Sequence, residues 1–142
     1  MRGPHAPPGH QPIRKAVPLL LRHCATEVLA FQHPLAGIQL VKGTIEAGES
    51  DEAAAKRELF EESGVTRASL AYVGASRSIV QGQEWVFYRG SGEGLPEHWT
   101  HHCADDGGHD FRFFWHPVRA EMKGWHPVFE TVMQQVEAWV VG

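Results

Sequence analysis

One uninterrupted stretch, GTIEAGESDEAAAKRELFEESGV from Gly43 to Val65, constrains this chain more than any other. Its middle reads as a helix. Ser50 is the expected N-cap, and Asp51 and Glu52 fall in the first turn, where the helix dipole favours negative charge. Ala53 to Leu59 are strong helix formers. Gly64 suits the left-handed residue that ends a helix, and Val65 the apolar contact that follows. Residues three and four apart are neighbours on a helix surface, so Glu58, Glu61 and Glu62 share one side. Phe60 lies off that side, which predicts one face packed on a sheet and another carrying acid. Three adjacent carboxylates repel one another and gain nothing for folding. A hard cation such as Mg²⁺ or Mn²⁺ turns that repulsion into a binding site.

The flanks predict a sheet. RKAVPLLL (14–21), TEVLAFQ (26–32) and IQLV (38–41) are short apolar runs rich in strand formers. His33 to Gly37 is a turn signal between two of them. LAYVGAS (70–76), EWVFYRG (84–90) and FRFFWHPV (111–118) read as later strands. HPVFETVMQQVEAWVV (126–141) reads as a helix. Its Val128, Val132, Met133, Val136 and Val140 recur near a 3.6 period, and Pro127 suits a first turn. Strands, a helix, more strands and a final helix predict an α/β domain with a mixed β-sheet covered by helices.

A chain of 142 residues suits one domain, expected over 13–142, with the Pro/Gly-rich residues 1–12 (MRGPHAPPGHQP) as a flexible arm. The net charge of −4 excludes a general basic footprint for nucleic acid, although Arg14, Lys15 and Arg22 could form a local one. The longest apolar runs are too short for a signal peptide or a membrane span, so a cytoplasmic protein is expected. Cys24 and Cys103 lack metal-ligand spacing and read as free thiols. Six histidines crowd the C-terminal half without helical pairing or a Cys-His ladder, so they read as scattered loop and strand residues.

The stretch 43–65 resembles the Nudix box, G-x5-E-x7-R-E-U-x-E-E-x-G-U with U aliphatic. Gly43, Glu49, Arg57, Glu58, Leu59, Glu61, Glu62, Gly64 and Val65 fill every specified position. From average residue frequencies, a chance match in a chain this long is roughly one in 10⁸. The resemblance implies the Nudix fold, an α/β/α sandwich, and a metal-dependent diphosphohydrolase acting on phosphorus-containing anhydrides. It implies a catalytic set of Glu58, Glu61, Glu62 and Arg57. Mg²⁺ or Mn²⁺ would be held by Glu58, Glu61, Glu62 and a main-chain carbonyl of Lys42 or Gly43. Arg57 would orient a box glutamate, Glu49 would support the loop, and Gly43 would let the loop pass close to the metal. The general base is Glu58 in some members and an acid from a later loop in others. Here the loop 105–110 (DDGGHD) offers Asp106 and His109. Trp99, as an exposed aromatic, and Trp85 are the candidates for stacking on a base.

The implied partner is a small nucleotide in which a nucleoside diphosphate is linked to another group. The leading expectation is a (deoxy)nucleoside triphosphate pyrophosphatase. The alternatives are a dinucleoside polyphosphate, an RNA 5′ end (the sole nucleic acid expected), or a binding module without catalysis. Such modules usually lack a box glutamate, and none is lacking here. The marks of several specialists are missing. Val80 and Gln81 stand where ADP-ribose hydrolases carry a proline, and Gly82 and Gln83 where dinucleoside polyphosphate hydrolases carry a tyrosine. Many members of the family are dimers, so a homodimer is also expected.

Overall fold

The computed structural model describes residues 11–140. The strands are β1 (Ile13–Arg22), β2 (Glu27–His33), β3 (Gly37–Gln39), β4 (Gly43–Thr44), β5 (Ala71–Ser76), β6 (Gln83–Ser91), β7 (Trp99–Cys103) and β8 (His109–Pro117). The helices are α1 (Asp51–Ser63) and α2 (Val128–Val140). The arm expected over 1–12 falls outside the described residues except for its last two.

The strands form one mixed sheet in the order β5-β6-β1-β2-β8-β7, in which β1 and β6 run parallel and the other pairs antiparallel. β1 and β2 are hydrogen-bonded only at Leu21–Val28 and Arg22–Glu27. Beyond those pairs they diverge. β3 attaches beside β2 and β4 beside β1, so the segment Leu40–Lys42 crosses from one to the other. Leu40 and Val41 go to opposite sides of the sheet on the way. That crossing opens one end of the sheet, and the start of the 43–65 stretch lies there.

Both faces are covered. On one, Ala54, Ala55 and Leu59 of α1 meet Ala16, Leu20, Leu29, Phe31, Val41 and Phe113. On the other, Phe129, Val132, Met133 and Val136 of α2 meet Val17, Leu19, Val28, Trp85 and Phe87. This is the α/β/α sandwich. It also explains why EWVFYRG does not alternate in and out: Trp85, Val86 and Phe87 are all buried, as in strands sandwiched between helices.

The caps of α1 stand where the sequence places them. Ser50 is extended and its Oγ accepts the Ala53 N–H at 3.1 Å. Gly64 has φ 79° and its N–H reaches the Phe60 carbonyl at 2.8 Å. The expected faces need one correction. Phe60 is 54 % exposed, and Leu59 fills the core instead. Glu58, its neighbour on the inner side, is only 7 % exposed, so the acidic side and the packed side overlap.

Candidate active site

The box residues converge on a polar cleft of about 430 Å³ at the open end of the sheet. Its walls include Lys15, Lys42, Gly43, Arg57, Glu58, Glu61, Glu62, Asp105 and Asp106. Arg57 organises the α1 side. Its Nε and Nη2 donate to both oxygens of Glu49, at 2.7 and 3.0 Å. Nη1 donates to Glu58 at 2.7 Å and to Glu61 at 3.2 Å, and Nη2 also reaches the Thr44 carbonyl at 2.9 Å. The bidentate partner is therefore Glu49, which ties the loop before α1 to the helix. Glu49 also accepts the Glu46 N–H at 3.1 Å, and these bonds hold its pKa down at about 2.

Gly43 has no room for a side chain. A Cβ there would lie 1.9–2.2 Å from the carboxylate atoms of Glu58. The backbone of β4 thus presses directly on that carboxylate. Burial raises the pKa of Glu58 despite Arg57. Glu62, facing Glu58, is raised well above the ordinary carboxylate range, first by burial and then by the Glu58 charge. Such acids are short of positive charge.

Oxygens of Glu58, Glu61 and Asp105 all lie within 4.8 Å of one another. Among the described residues no other group of histidines, cysteines and acids converges this way. Asp105 arrives from the loop between β7 and β8, in a short 3₁₀ turn (Asp105–Gly107). Asp106, Gly107 and Gly108 then have φ of 53°, 87° and 89°, a left-handed run that reverses the chain behind it. The sequence singles out this loop but favours Asp106 and His109 within it. Oxygen donors only, a carboxylate pressed by a side-chain-free backbone, and depleted positive charge fit a hard divalent cation.

A second cavity of about 270 Å³ adjoins the first. Lys42, Glu62, Asp105 and Asp106 line both. Its other walls include Phe31, His33, Gln39, His109 and Phe111. The His33 ring lies 4.9 Å from His109 and 5.1 Å from Phe111. Its Nδ1 accepts the N–H groups of Leu35 and Ala36, at 3.0 and 3.1 Å. The structure thus brings Asp106 and His109 to the rim of the site and adds Lys15, His33 and Asp105.

The two tryptophans are elsewhere. Trp85 is 1 % exposed, packed edge-on against Phe129, and has no face free for a base. Trp99 is not the exposed aromatic expected. It stacks on Phe113 at 5.2 Å, and its Nε1 donates to the Ser63 carbonyl at 3.0 Å. It lines a different cavity, with Gln32 and Arg112. Nor do Arg14, Lys15 and Arg22 form a basic patch. Arg14 is paired with Asp51 and Glu84, whereas Arg22 is paired with Glu27 and Glu97 at the far end of β1. No helix among the described residues is long and apolar enough to cross a membrane.

Fold and site together define a two-helix sandwich with a carboxylate cluster at the open end of its sheet. The NUDIX domain profile matches residues 12–136. The chain belongs to the Nudix family. No curated protein sequence matches it. Its fold is similar to that of a MutT structure from work on the psychrophilic fish pathogen Aliivibrio salmonicida and the mesophile Vibrio cholerae. The TM-score is 0.63 at 20 % identity, covering 90 % of this chain and 98 % of that one. It is likewise similar to the MutT Nudix hydrolase of Burkholderia pseudomallei, with TM-score 0.63 at 18 % identity over 89 % and 98 % of the two chains. At these identities the likeness concerns the fold.

Proposed function

We propose that this protein hydrolyses the diphosphate linkage of a nucleoside diphosphate joined to another group, with nucleoside triphosphates as the leading substrates. The observation that carries the reading is the convergence of Glu58, Glu61 and Asp105 within 4.8 Å beside a cavity of nucleoside size. The carboxylates of Glu58, Glu61, Glu62 and Asp105, with a carbonyl of Lys42 or Gly43, would hold Mg²⁺ or Mn²⁺. That ion supplies charge neutralisation at the diphosphate oxygens and a more acidic water.

The chain's own residues do the rest. Arg57 fixes Glu58 and Glu61 in place, and Glu49 fixes Arg57. The cluster carboxylates are the acceptors for the proton of the attacking water. Its oxygen bonds to one phosphorus as the bridging P–O bond breaks, and the other phosphate leaves. The cavity beside His33 and His109 would take the nucleoside, with His33 Nε2–H as donor, since Nδ1 is occupied as an acceptor. The engagement of Arg14 and Arg22 by carboxylates argues against a long RNA substrate.

The test is a substrate panel with Mg²⁺ and Mn²⁺. It spans nucleoside triphosphates and their oxidised forms, dinucleoside polyphosphates, ADP-ribose, nucleotide sugars and a triphosphorylated RNA oligomer, with products resolved by mass. A nucleoside triphosphate cleaved to monophosphate and pyrophosphate is expected. Preference for another member of the panel would move the substrate assignment. No cleavage of any member with the cation bound would favour a binding module.

A further inference from the structure

The cleft holds two kinds of unbalanced charge, and only the acidic one is explained by a cation. Lys15 and Lys42 line the same cleft as the carboxylates. Arg57, the other cation of the cleft, is saturated by Glu49, Glu58, Glu61 and the Thr44 carbonyl. The two lysines are less engaged: Lys15 reaches Thr44 Oγ1 and Lys42 Nζ lies over the Trp85 ring at 5.9 Å, neither with a carboxylate in ion-pair contact among the described residues. Among the described residues the ion-paired lysines are Lys56 and Lys123.

Lys15 is held in place by its strand. It pairs with Thr44 in the β1–β4 ladder, and its Nζ donates to Thr44 Oγ1 at 2.8 Å. An ammonium has three donors, so two remain for the cleft. Lys42 stands near enough to Lys15 for their charges to repel, and Glu58 near enough to offset that only in part. Two half-buried ammonium groups in one cleft thus remain incompletely compensated. A multiply charged anion relieves them.

Building on the hydrolase reading above, we infer that Lys15 and Lys42 seat a terminal phosphate beyond the cleaved linkage. They would select substrates whose leaving group is pyrophosphate over those whose leaving group is a sugar phosphate. The seat lies in the cleft that adjoins the second cavity, with Lys42 lining both. One site thus reads a nucleoside at one end and a phosphate tail at the other.

The probe is inorganic pyrophosphate, titrated calorimetrically with Mg²⁺ present into wild type, Lys15→Gln and Lys15→Arg, with a nucleoside monophosphate as comparator. Glutamine can still bond Thr44, so the ladder is kept, and melting temperatures check this. Losing one charge-assisted hydrogen bond predicts that Lys15→Gln binds pyrophosphate at least roughly tenfold more weakly. Lys15→Arg should recover most of the affinity, and monophosphate binding should not move. With a triphosphate substrate, Lys15→Gln should raise KM and lower kcat/KM at least roughly tenfold. Equal pyrophosphate affinity in wild type and Lys15→Gln would overturn the assignment. So would no pyrophosphate binding by wild type, or an equal loss of monophosphate binding. Lys15-dependent pyrophosphate binding without hydrolysis of any substrate would uphold the seat while removing the hydrolase reading.

Discussion

At the scale of single residues, the site depends on close approaches. Gly43 is required because a methyl group would occupy the position of the Glu58 carboxylate. His116 shows the opposite situation. It is 6 % exposed, edge-on to Trp125 at 4.9 Å, and its Nε2 has no hydrogen-bond partner among the described residues. Burial lowers its pKa, so the folded chain holds it neutral. The unfolded chain protonates it near the ordinary imidazole value of about 6.5. Its contribution to stability is therefore intact above that pH and declines as the pH falls below it. The melting temperature of wild type should drop between pH 7 and pH 5, and His116→Phe should drop by less. Identical pH profiles would refute this role. The box residues were legible because type and spacing together name them. Asp105 was not, because the left-handed run at Asp106, Gly107 and Gly108 decides which acid of the loop faces the cluster. Trp85 offers no face to a base because a strand buried on both faces has no outward set, which a single strand's sequence does not reveal.

At the scale of elements, α1 is both scaffold and ligand holder. Leu59 is fully buried, whereas Phe60 is 54 % exposed. Leu59→Ala should lower stability by about 2–5 kcal/mol, and Phe60→Ala by less than about 0.5 kcal/mol, measured by denaturant unfolding. The reverse order would mean that the helix is rotated from the position described. The caps at Ser50 and Gly64 were readable because each answers a local backbone need. The face of Phe60 was not, since it depends on how the helix sits on the sheet. β7 (WTHHC) escaped notice for a related reason. Among the described residues it is an edge strand paired only with β8, and its Thr and His residues break the apolar pattern that marks inner strands. β3 and β4 are too short to announce themselves, and the IQLV run leaves its strand after Gln39.

At the scale of the molecule, the site arises where β1 and β2 part. The gap admits the Leu40–Lys42 crossing, places β4 against Glu58 and brings the β7–β8 loop across from it. Helices on both faces leave this end as the place where polar groups from four elements meet. The sandwich class followed from the order of strand and helix patterns, together with the Nudix resemblance. The parallel β1–β6 pairing and the divergence of β1 from β2 did not, because long-range pairing leaves no local trace. The decisive measurement is Mn²⁺ binding, followed by electron paramagnetic resonance, alongside turnover of the best substrate in wild type and Glu61→Gln. Removing one ligand oxygen's charge from an exposed side chain should leave the melting temperature unchanged. It should weaken Mn²⁺ binding and lower turnover by at least roughly 100-fold. Wild-type Mn²⁺ affinity and turnover in Glu61→Gln would show that the carboxylate cluster is not the metal centre.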